Sequence, residues 1–310
     1  MSIFASSAAS FQPVISEAVN AVGRNRFVGA QILPFYGVSK SQGKYAKIEA
    51  SQFDNDITKP RAAGANFAQT DAQYTSSTFE CLEYGAENAL DDIDLARSES
   101  DAELDIATIA ANQLADGLMV GHEIRVASAL SGAGFTSTAA TAAMSVVASA
   151  TPINDVNAAV LRLNADGIFD RIHLVIEASL YQEMLQTDDM RNLINGSGTM
   201  LWAQDQVARV LGVDAVIICN TRYNSAIKGQ SASRASIWPT TSYYVAQLAD
   251  GPFVNGGIGR TAAYEGRGSG VMFTSETFRT EQPPASVVRV RHTVDELIIN
   301  DVAGETITGA

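Results

Sequence analysis

The sequence predicts an α+β fold in which a long two-stranded β-hairpin projects from a body of mixed helices and strands. Three observations predict it. Two β-type runs within 32–94 flank a polar stretch, an unbroken helical pattern follows at about 98–130, and short helices and strands then alternate before a β-rich end. With 310 residues, the chain can bury a large core and suggests one large or two to three intergrown domains.

Residues 1–31 predict a loose Ser/Ala-rich arm that carries one short helix. Pro13 suits a first helical position and Gly23 suits the stop. Because so short a helix is not stable alone, we expect the arm to pack on another surface. The expected contact residues of the arm are Val14, Ile15, Arg24 and Arg26.

The segment 32–80 predicts the hairpin. Ile32-Leu33-Pro34 begins the first β-type run, a charged turn lies at 53–64, and period-two alternation marks the return at 75–82. Isolated hairpins are marginal in water, and this one has too few apolar residues for its own core, so we expect a neighbouring subunit to cover it. The expected contact residues are Tyr45, Ile48, Phe53, Lys59, Arg61, Tyr74 and Phe79.

Residues 81–150 contain the helical pattern of about 98–130. Ser98 and Asp101 match a capping box. At 1.5 Å per residue the helix would be about 50 Å long, so we expect it to form a spine across the molecule. The predicted broad apolar band of this spine helix consists of many alanines together with Leu104, Ile109, Leu114, Leu118 and Ile124.

Residues 151–262 predict a compact α/β lobe, whose apolar runs suit a sheet covered on both faces. Within 263–310 the predicted closing strands follow, and Val288, Val290, His292 and Val294 alternate with polar neighbours. The predicted elements of the lobe are a helix at 152–166, a strand at 172–176, helical segments at 178–187 and 202–211, and a strand at 213–219.

Composition narrows the class of protein. The net charge of −13 argues against sequence-specific nucleic-acid binding, because phosphate would be repelled. Cys81 and Cys219 lie in separate apolar runs and predict buried, reduced thiols, which fits a reducing cytoplasm. The N-terminus lacks the features of a signal peptide, and no run of eighteen apolar residues predicts a membrane span.

Catalytic signatures are missing from the sequence. It contains neither a nucleophile elbow nor a phosphate-binding glycine motif, and Asp91, Asp92 and Asp94 predict a solvated acidic turn. Trp202 and Trp238 stand apart and predict core or interface positions. We therefore expect no catalytic site, no cofactor and no metal. The three histidines, which lack ligand spacing, are His122, His173 and His292.

The order of these segments resembles the major capsid protein of tailed double-stranded DNA bacteriophages, which has the Hong Kong 97-type fold. The Ile-Leu-Pro run at 32–34 and the return CLEYGAENALDDID at 81–94 carry the resemblance together with the segment order. It implies an N-terminal arm (1–31), an E-loop hairpin (32–80), a P-domain with the spine helix (81–150), an A-domain (151–262) and P-domain closing strands (263–310).

The resemblance also implies a function. The chain would be a structural protein that self-assembles into hexamers and pentamers of an icosahedral head around double-stranded DNA, in the host bacterial cytoplasm. Implied partners are a portal, a scaffolding protein and a cement or decoration protein. Some members cross-link a hairpin lysine to a neighbour's asparagine. Lys40, Lys44, Lys47 or Lys59 could be the donor and Asn300 the acceptor, with Lys44 and Asn300 as the candidate pair, but no matching acid is found.

Three other interpretations stay open. An encapsulin-type compartment shell would share the fold. An oligomeric α/β enzyme would use the hairpin as an oligomerisation arm and requires a deep pocket with convergent titratable groups. Another self-assembling surface protein is suggested only by the Ala/Ser-rich composition.

Overall fold

The computed structural model describes residues 10–11, 27–47, 60–61, 63–64, 66–67, 75–93, 106–197, 203–226, 229–231, 233–250, 256–266, 273–281 and 284–310. Among these residues, no helix is both long enough and apolar enough to cross a membrane.

The described residues form strands and helices that are numbered here in chain order. The strands are β1 (Ser10–Phe11), β2 (Phe35–Val38), β3 (Gln42–Lys47), β4 (Thr75–Glu80), β5 (Leu82–Asp91), β6 (Thr136–Ala139), β7 (Ile172–Glu177), β8 (Ala215–Cys219), β9 (Arg222–Asn224), β10 (Arg234–Ser236), β11 (Ser242–Gln247), β12 (Gly259–Tyr264), β13 (Thr274–Glu281), β14 (Pro284–Ile298) and β15 (Gly304–Thr308). The helices are α1 (Gly29–Ile32), α2 (Ile106–Ser131), α3 (Pro152–Ala165), α4 (Ala178–Gln186), α5 (Asp188–Ser197) and α6 (Gln204–Leu211).

The long strand β14 organises a six-stranded sheet. It pairs antiparallel with β5, β12 and β13, while β2 joins β12 in parallel and β1 joins β13. The alternation predicted from the sequence is confirmed, because Val288, Val290, His292 and Val294 are all buried. Their side chains lie on one face of the strand, where α2 packs.

Helix α2 is the predicted spine, and its described part spans about 39 Å. The predicted apolar band is partly wrong. Ile109 and Ile124 are exposed, whereas the predicted Leu118 is buried and Leu114 packs half-buried against the same core. Alanines of the predicted band and Met119 complete the buried face, so the error concerns the two isoleucines. Leu104 and the predicted cap at Ser98 lie outside the described residues.

A mixed five-stranded sheet forms the α/β lobe, in the order β6-β15-β11-β7-β8. Strands β7 and β8 run parallel, as do β15 and β6, whereas β11 is antiparallel to both of its neighbours. Pairing of β15 and β6 with this lobe differs from the sequence-based division, which grouped 263–310 and 81–150 with the other sheet. A loop precedes each of these two strands, and the local sequence pattern does not show which sheet the strand after that loop joins.

The helices of the lobe match most of the predicted segments. Helix α3 begins at Pro152, and Gly212 ends α6 in the left-handed conformation with φ of 70°. Helix α5 was not predicted. Arg162 of α3 donates to the buried Glu305 of β15, with Nε 2.8 Å from Oε1, which fastens the C-terminal strand to the lobe. Strands β9 and β10 form a small separate ribbon.

The beginning of the predicted hairpin is different in the structure. Ile32 belongs to the short helix α1, and both Ile32 and Leu33 are fully buried in the core of the α/β lobe. Strand β2 then pairs with β12 of the six-stranded sheet. The segment 32–38 therefore belongs to the body of the molecule and not to the hairpin. The two-stranded ribbon itself consists of β3 and β4.

Candidate assembly surfaces

The ribbon β3–β4 has no core of its own within its described residues. Tyr45 pairs with Ser77 and Gly43 with Phe79, and these four residues lie on one half-buried face. On the other face Lys44 lies opposite Thr78, and both are exposed. A Cβ on Gly43 would lie 2.7 Å from the ring of Phe79, so only glycine lets that ring lie across the partner strand. The apolar half-face is the surface that a neighbour could cover.

The base of the ribbon is fastened to the body. The Glu80 amide donates to Asp295 Oδ2 at 2.9 Å, and the Cys81 amide donates to the Ser41 carbonyl at 2.8 Å. The thiol of Cys81 is buried and contacts the Ala262 carbonyl at 3.7 Å. Burial raises the pKa of this thiol to about 11, so it stays protonated near neutral pH. These contacts determine the direction in which the ribbon leaves the body.

The predicted contact residues are only partly within the described chain. Tyr45 and Phe79 lie on the half-buried face of the ribbon, and the Arg61 guanidinium lies 4.8 Å from the ring centre of Phe67, which is 75% exposed. The contact role of these three residues stays a prediction. The predicted contacts outside the described residues are Ile48, Phe53, Lys59 and Tyr74, and in the arm Val14, Ile15, Arg24 and Arg26.

The candidate cross-link pair lies on two different elements. Lys44 is exposed on β3, whereas Asn300 lies between β14 and β15, where its Oδ1 accepts from the Val302 amide at 3.2 Å. That bond holds the asparagine in a local turn. The cross-link stays a prediction.

The outer face of the six-stranded sheet carries a ladder of ion pairs across β5, β14 and β13. Arg289 contacts Glu87 with Nε 2.6 Å from Oε1, and Arg291 contacts Glu83 with Nη1 2.9 Å from Oε1. Glu276 on β13 contacts both arginines. Next to it Arg279 pairs with Asp92, which belongs to the acidic turn that was predicted to be solvated. Alternating charge across three strands supports their register.

We expect Glu276→Gln to lower the free energy of unfolding by about 1 kcal/mol at low salt, because it removes a carboxylate that both arginines share. The loss should shrink in about 0.5 M NaCl, where partly exposed pairs are screened. Urea denaturation at the two salt concentrations measures it. Glu281→Gln at an exposed position on the same strand is the matched control. A salt-independent loss would contradict an electrostatic origin.

A buried polar joint interrupts the apolar face of α2. Residues Ala110 to Met119 pack in a core with the six-stranded sheet, and Val126 to Leu130 pack in the core of the α/β lobe. Between the two cores lie His122 and Glu123, both 0% exposed. Apolar packing alone tolerates sliding, whereas buried polar groups need specific partners. The joint therefore fixes how the helix meets both cores.

Glu123 connects three distant parts of the chain. Its Oε2 accepts from the Gly29 amide at 2.7 Å, while Oε1 accepts from Trp238 Nε1 at 2.9 Å and from Thr221 Oγ1 at 3.2 Å. Burial raises the pKa of this carboxyl, and the hydrogen bonds that it accepts act against that rise. Gly29 has no room for a side chain, since a Cβ there would lie 2.8 Å from Oε2. Glu123 thus positions the chain that leads to the ribbon.

The histidines are not isolated in space. His122 and His292 have ring centres 6.5 Å apart, and each stacks on a phenylalanine, Phe35 or Phe273. Burial, reinforced by the nearby Arg125, lowers the pKa of each to about 3, so both are neutral near pH 7. No cluster of three or more potential metal ligands occurs among the described residues. One sequence signal could have revealed the joint. The polar residues 122 and 123 occur at positions where the helical spacing predicts the buried face of α2.

An open groove of about 700 Å³ lies beside the C-terminal half of α2. Ile124, Trp238 and Pro239 line it together with serine and threonine hydroxyls, and none of its described lining residues is titratable. His122, Glu123 and His292 are closed off from solvent. The convergent, accessible groups that an enzyme interpretation requires are therefore not brought together at either place in the described chain.

Comparison with known proteins finds similarity in structure only. No protein-family model and no curated protein matches the sequence. A phage-related protein from Bordetella bronchiseptica is 16% identical, with 98% of both chains covered and a TM-score of 0.74. The putative capsid protein of an E. coli prophage is 9% identical, with 97% of this chain and 99% of that chain covered and a TM-score of 0.60.

The similarity extends to a virus-like particle from Pyrococcus furiosus. That chain is 11% identical, 94% of this chain and 97% of that chain are covered, and the TM-score is 0.56. At these identities the comparison establishes the fold. The matches cover nearly the whole length of this chain. This chain has the Hong Kong 97-type capsid fold.

Proposed function

We propose that the chain is the major shell protein of an icosahedral phage-type head, which it builds as hexamers and pentamers around double-stranded DNA. One observation carries the proposal: a ribbon without its own core, hydrogen-bonded to the body at its base, projects from a capsid fold. Such a ribbon gains a stable environment when it lies on a second copy of the chain. Contacts of this head-to-tail kind close into rings.

The same features support a structural role. The buried polar groups of the joint connect elements and are closed to a substrate, and the exposed charges of the sheet are paired with one another. Many intersubunit contacts of standard size would together give a shell that resists unfolding kinetically. We propose a portal, a scaffolding protein and a cement or decoration protein as partners, and assembly in the bacterial cytoplasm.

The acidic character of the chain fits a container for DNA. With a net charge of −13, the chain would let packed DNA slide along the wall rather than adhere to it. Arg24 and Arg26 of the arm would be local exceptions. A DNA-free compartment shell is the second candidate, because the similarity extends to a virus-like particle.

Negative-stain electron microscopy of the purified protein tests the proposal. We expect discrete closed shells of uniform diameter, whereas monodisperse monomers or dimers at all concentrations would contradict shell assembly. Nuclease-protected nucleic acid inside shells from phage-infected cells supports the head. Shells that enclose protein and no nucleic acid would favour the compartment.

A further inference from the structure

Arg125 determines the protonation state of His292 within the buried joint. Its Nη2 lies 3.1 Å from His292 Nε2. A guanidinium can only donate, so Nε2 must accept and cannot carry a proton. The other ring nitrogen, Nδ1, then holds the single proton of a neutral imidazole and has no hydrogen-bond partner among the described residues. A second proton on His292 and the present position of Arg125 exclude each other.

The position of the proton on His122 follows from a different set of contacts. Its Nε2 lies 3.2 Å from Thr261 Oγ1, and that hydroxyl donates to the Leu33 carbonyl at 3.0 Å. The hydroxyl must therefore accept from His122, which places the proton of this imidazole on Nε2. Its Nδ1 lacks a partner among the described residues. A second proton on Nδ1 would leave these contacts intact, so burial makes His122 neutral, whereas the contact with Arg125 itself requires a neutral His292.

Arg125 also fastens α2 to two strands. Its Nε donates to both carboxylate oxygens of Glu296 on β14, at 2.9 and 3.1 Å. Its guanidinium carbon lies 3.8 Å from the ring centre of Tyr84 on β5. Displacement of Arg125 would release three contacts at once. The contact with His292 is the one that a proton abolishes directly.

We propose that His292 and Arg125 form a proton-operated latch between the spine helix α2 and the six-stranded sheet. The joint is closed while His292 is neutral, and a proton taken from solvent by Nε2 expels Arg125 and opens it. The latch belongs to the fold of a single chain and does not rest on the proposed function. In an assembled shell, the same event would loosen the spine from the sheet without unfolding either.

Other charged groups around the joint modulate the latch. Burial raises the pKa values of Glu123 and Glu296, so these carboxyls stabilise the fold most at low pH. This pH dependence has the opposite sign to that of the histidines. Comparing two proteins that both contain these carboxyls cancels their contribution. The groups that face the imidazoles or these carboxyls are Glu123 and Arg125 on α2, Tyr84 on β5, Glu296 and Asp295 on β14, Cys81 and Cys219. The two imidazoles also face each other, and His122 Nε2 lies 3.7 Å from Glu296 Oε1.

The sign of the histidine effect follows from the two states. In the closed joint the pKa of His292 is about 3, against 6.5 for an open imidazole. Its stabilisation is therefore complete above pH 6.5 and is lost as the pH falls towards 3. At pH 5, opening should be favoured about 30-fold relative to pH 7.5 by this one imidazole.

Hydrogen exchange of the full-length protein, corrected for the intrinsic pH dependence, tests the latch. In the unaltered chain, protection of peptides from 118–127 and 286–296 should fall sharply between pH 7.5 and pH 5. In His292→Gln, the side-chain oxygen still accepts from Arg125. The factor by which protection falls between the two pH values should therefore be about 30 times smaller than in the unaltered chain. His173→Gln, outside the joint, is the control and should behave as the unaltered chain. Equal pH dependence in His292→Gln and the unaltered chain would overturn the proposal.

A second measurement needs no variant. Exchange of the imidazole C2 hydrogens in the unaltered chain reports the protonation of each histidine by mass spectrometry. We expect His292 to show no titration step between pH 7.5 and the pH at which the peptides lose protection. A free titration of His292 near pH 6.5 with the peptides still protected would refute the latch, even if His292→Gln failed to fold.

Discussion

Glu123→Ala is expected to lower the free energy of unfolding by about 3 kcal/mol. The substitution leaves the Gly29 amide and Trp238 Nε1 without their acceptor in a region that is closed to water. It also opens a cavity between the two cores of the molecule. The effect is large because one carboxylate serves three donors from distant parts of the chain.

Two further variants make this result specific. Glu123→Gln keeps an oxygen for Trp238 and Thr221 but turns an amide group toward the Gly29 N–H, so about half of the loss should remain. Glu183→Ala, at an exposed position on α4, should change the free energy of unfolding by less than about 0.5 kcal/mol. Urea denaturation at one protein concentration measures all three. A similar loss in Glu123→Ala and Glu183→Ala would refute the role of the joint.

The double variant Tyr45→Ser with Phe79→Ser is expected to abolish closed shells and to leave the body folded. Both rings lie on the half-buried face of the ribbon, outside both hydrophobic cores. If a neighbour completes their burial, their loss removes about 3 kcal/mol from each contact, which is about 100-fold in association. Shell assembly multiplies this loss over all copies.

The opposite face of the ribbon provides the matched control. Ala46→Ser with Thr78→Ser changes two exposed positions by similar chemistry and should leave shell yield unchanged. Electron microscopy counts the shells, and circular dichroism verifies that the body is folded. Normal shells from the Tyr45 and Phe79 variant would show that this face is not the assembly surface. Shell loss together with an unfolded body would place the defect in the fold instead.

Local patterns were sufficient where the structure depends on near neighbours. The alternation of Val288, Val290, His292 and Val294 predicts one buried face of β14, because side chains of a strand alternate between its faces. Pro152 and Gly212 predict the start of α3 and the end of α6, since proline restricts φ and glycine tolerates positive φ. Two cysteines in apolar runs correctly predicted two buried, free thiols.

Local patterns did not predict which distant segments of the chain pair with each other. The sequence placed 32–38 in the hairpin, but Ile32 is a core residue of α1 and β2 pairs with β12, more than 200 residues away. Ile109 and Ile124 have the right spacing and hydrophobicity for the buried face of the spine, and yet they are exposed. The face that a helix buries depends on the shape of the sheet against which it packs, and no local spacing contains that shape.

From the sequence alone it follows that 75–80 and the residues near 45 form a ribbon too polar for a core and that a long helix comes next, in a segment order that resembles a capsid fold. Only the tertiary structure decided that His122, Glu123, Arg125 and His292 meet at one joint. Hydrophobic periodicity is a property of neighbouring residues, so it can be read along the chain. The environment of a buried charge depends on partners 94 to 167 residues away, and folding alone brings them together.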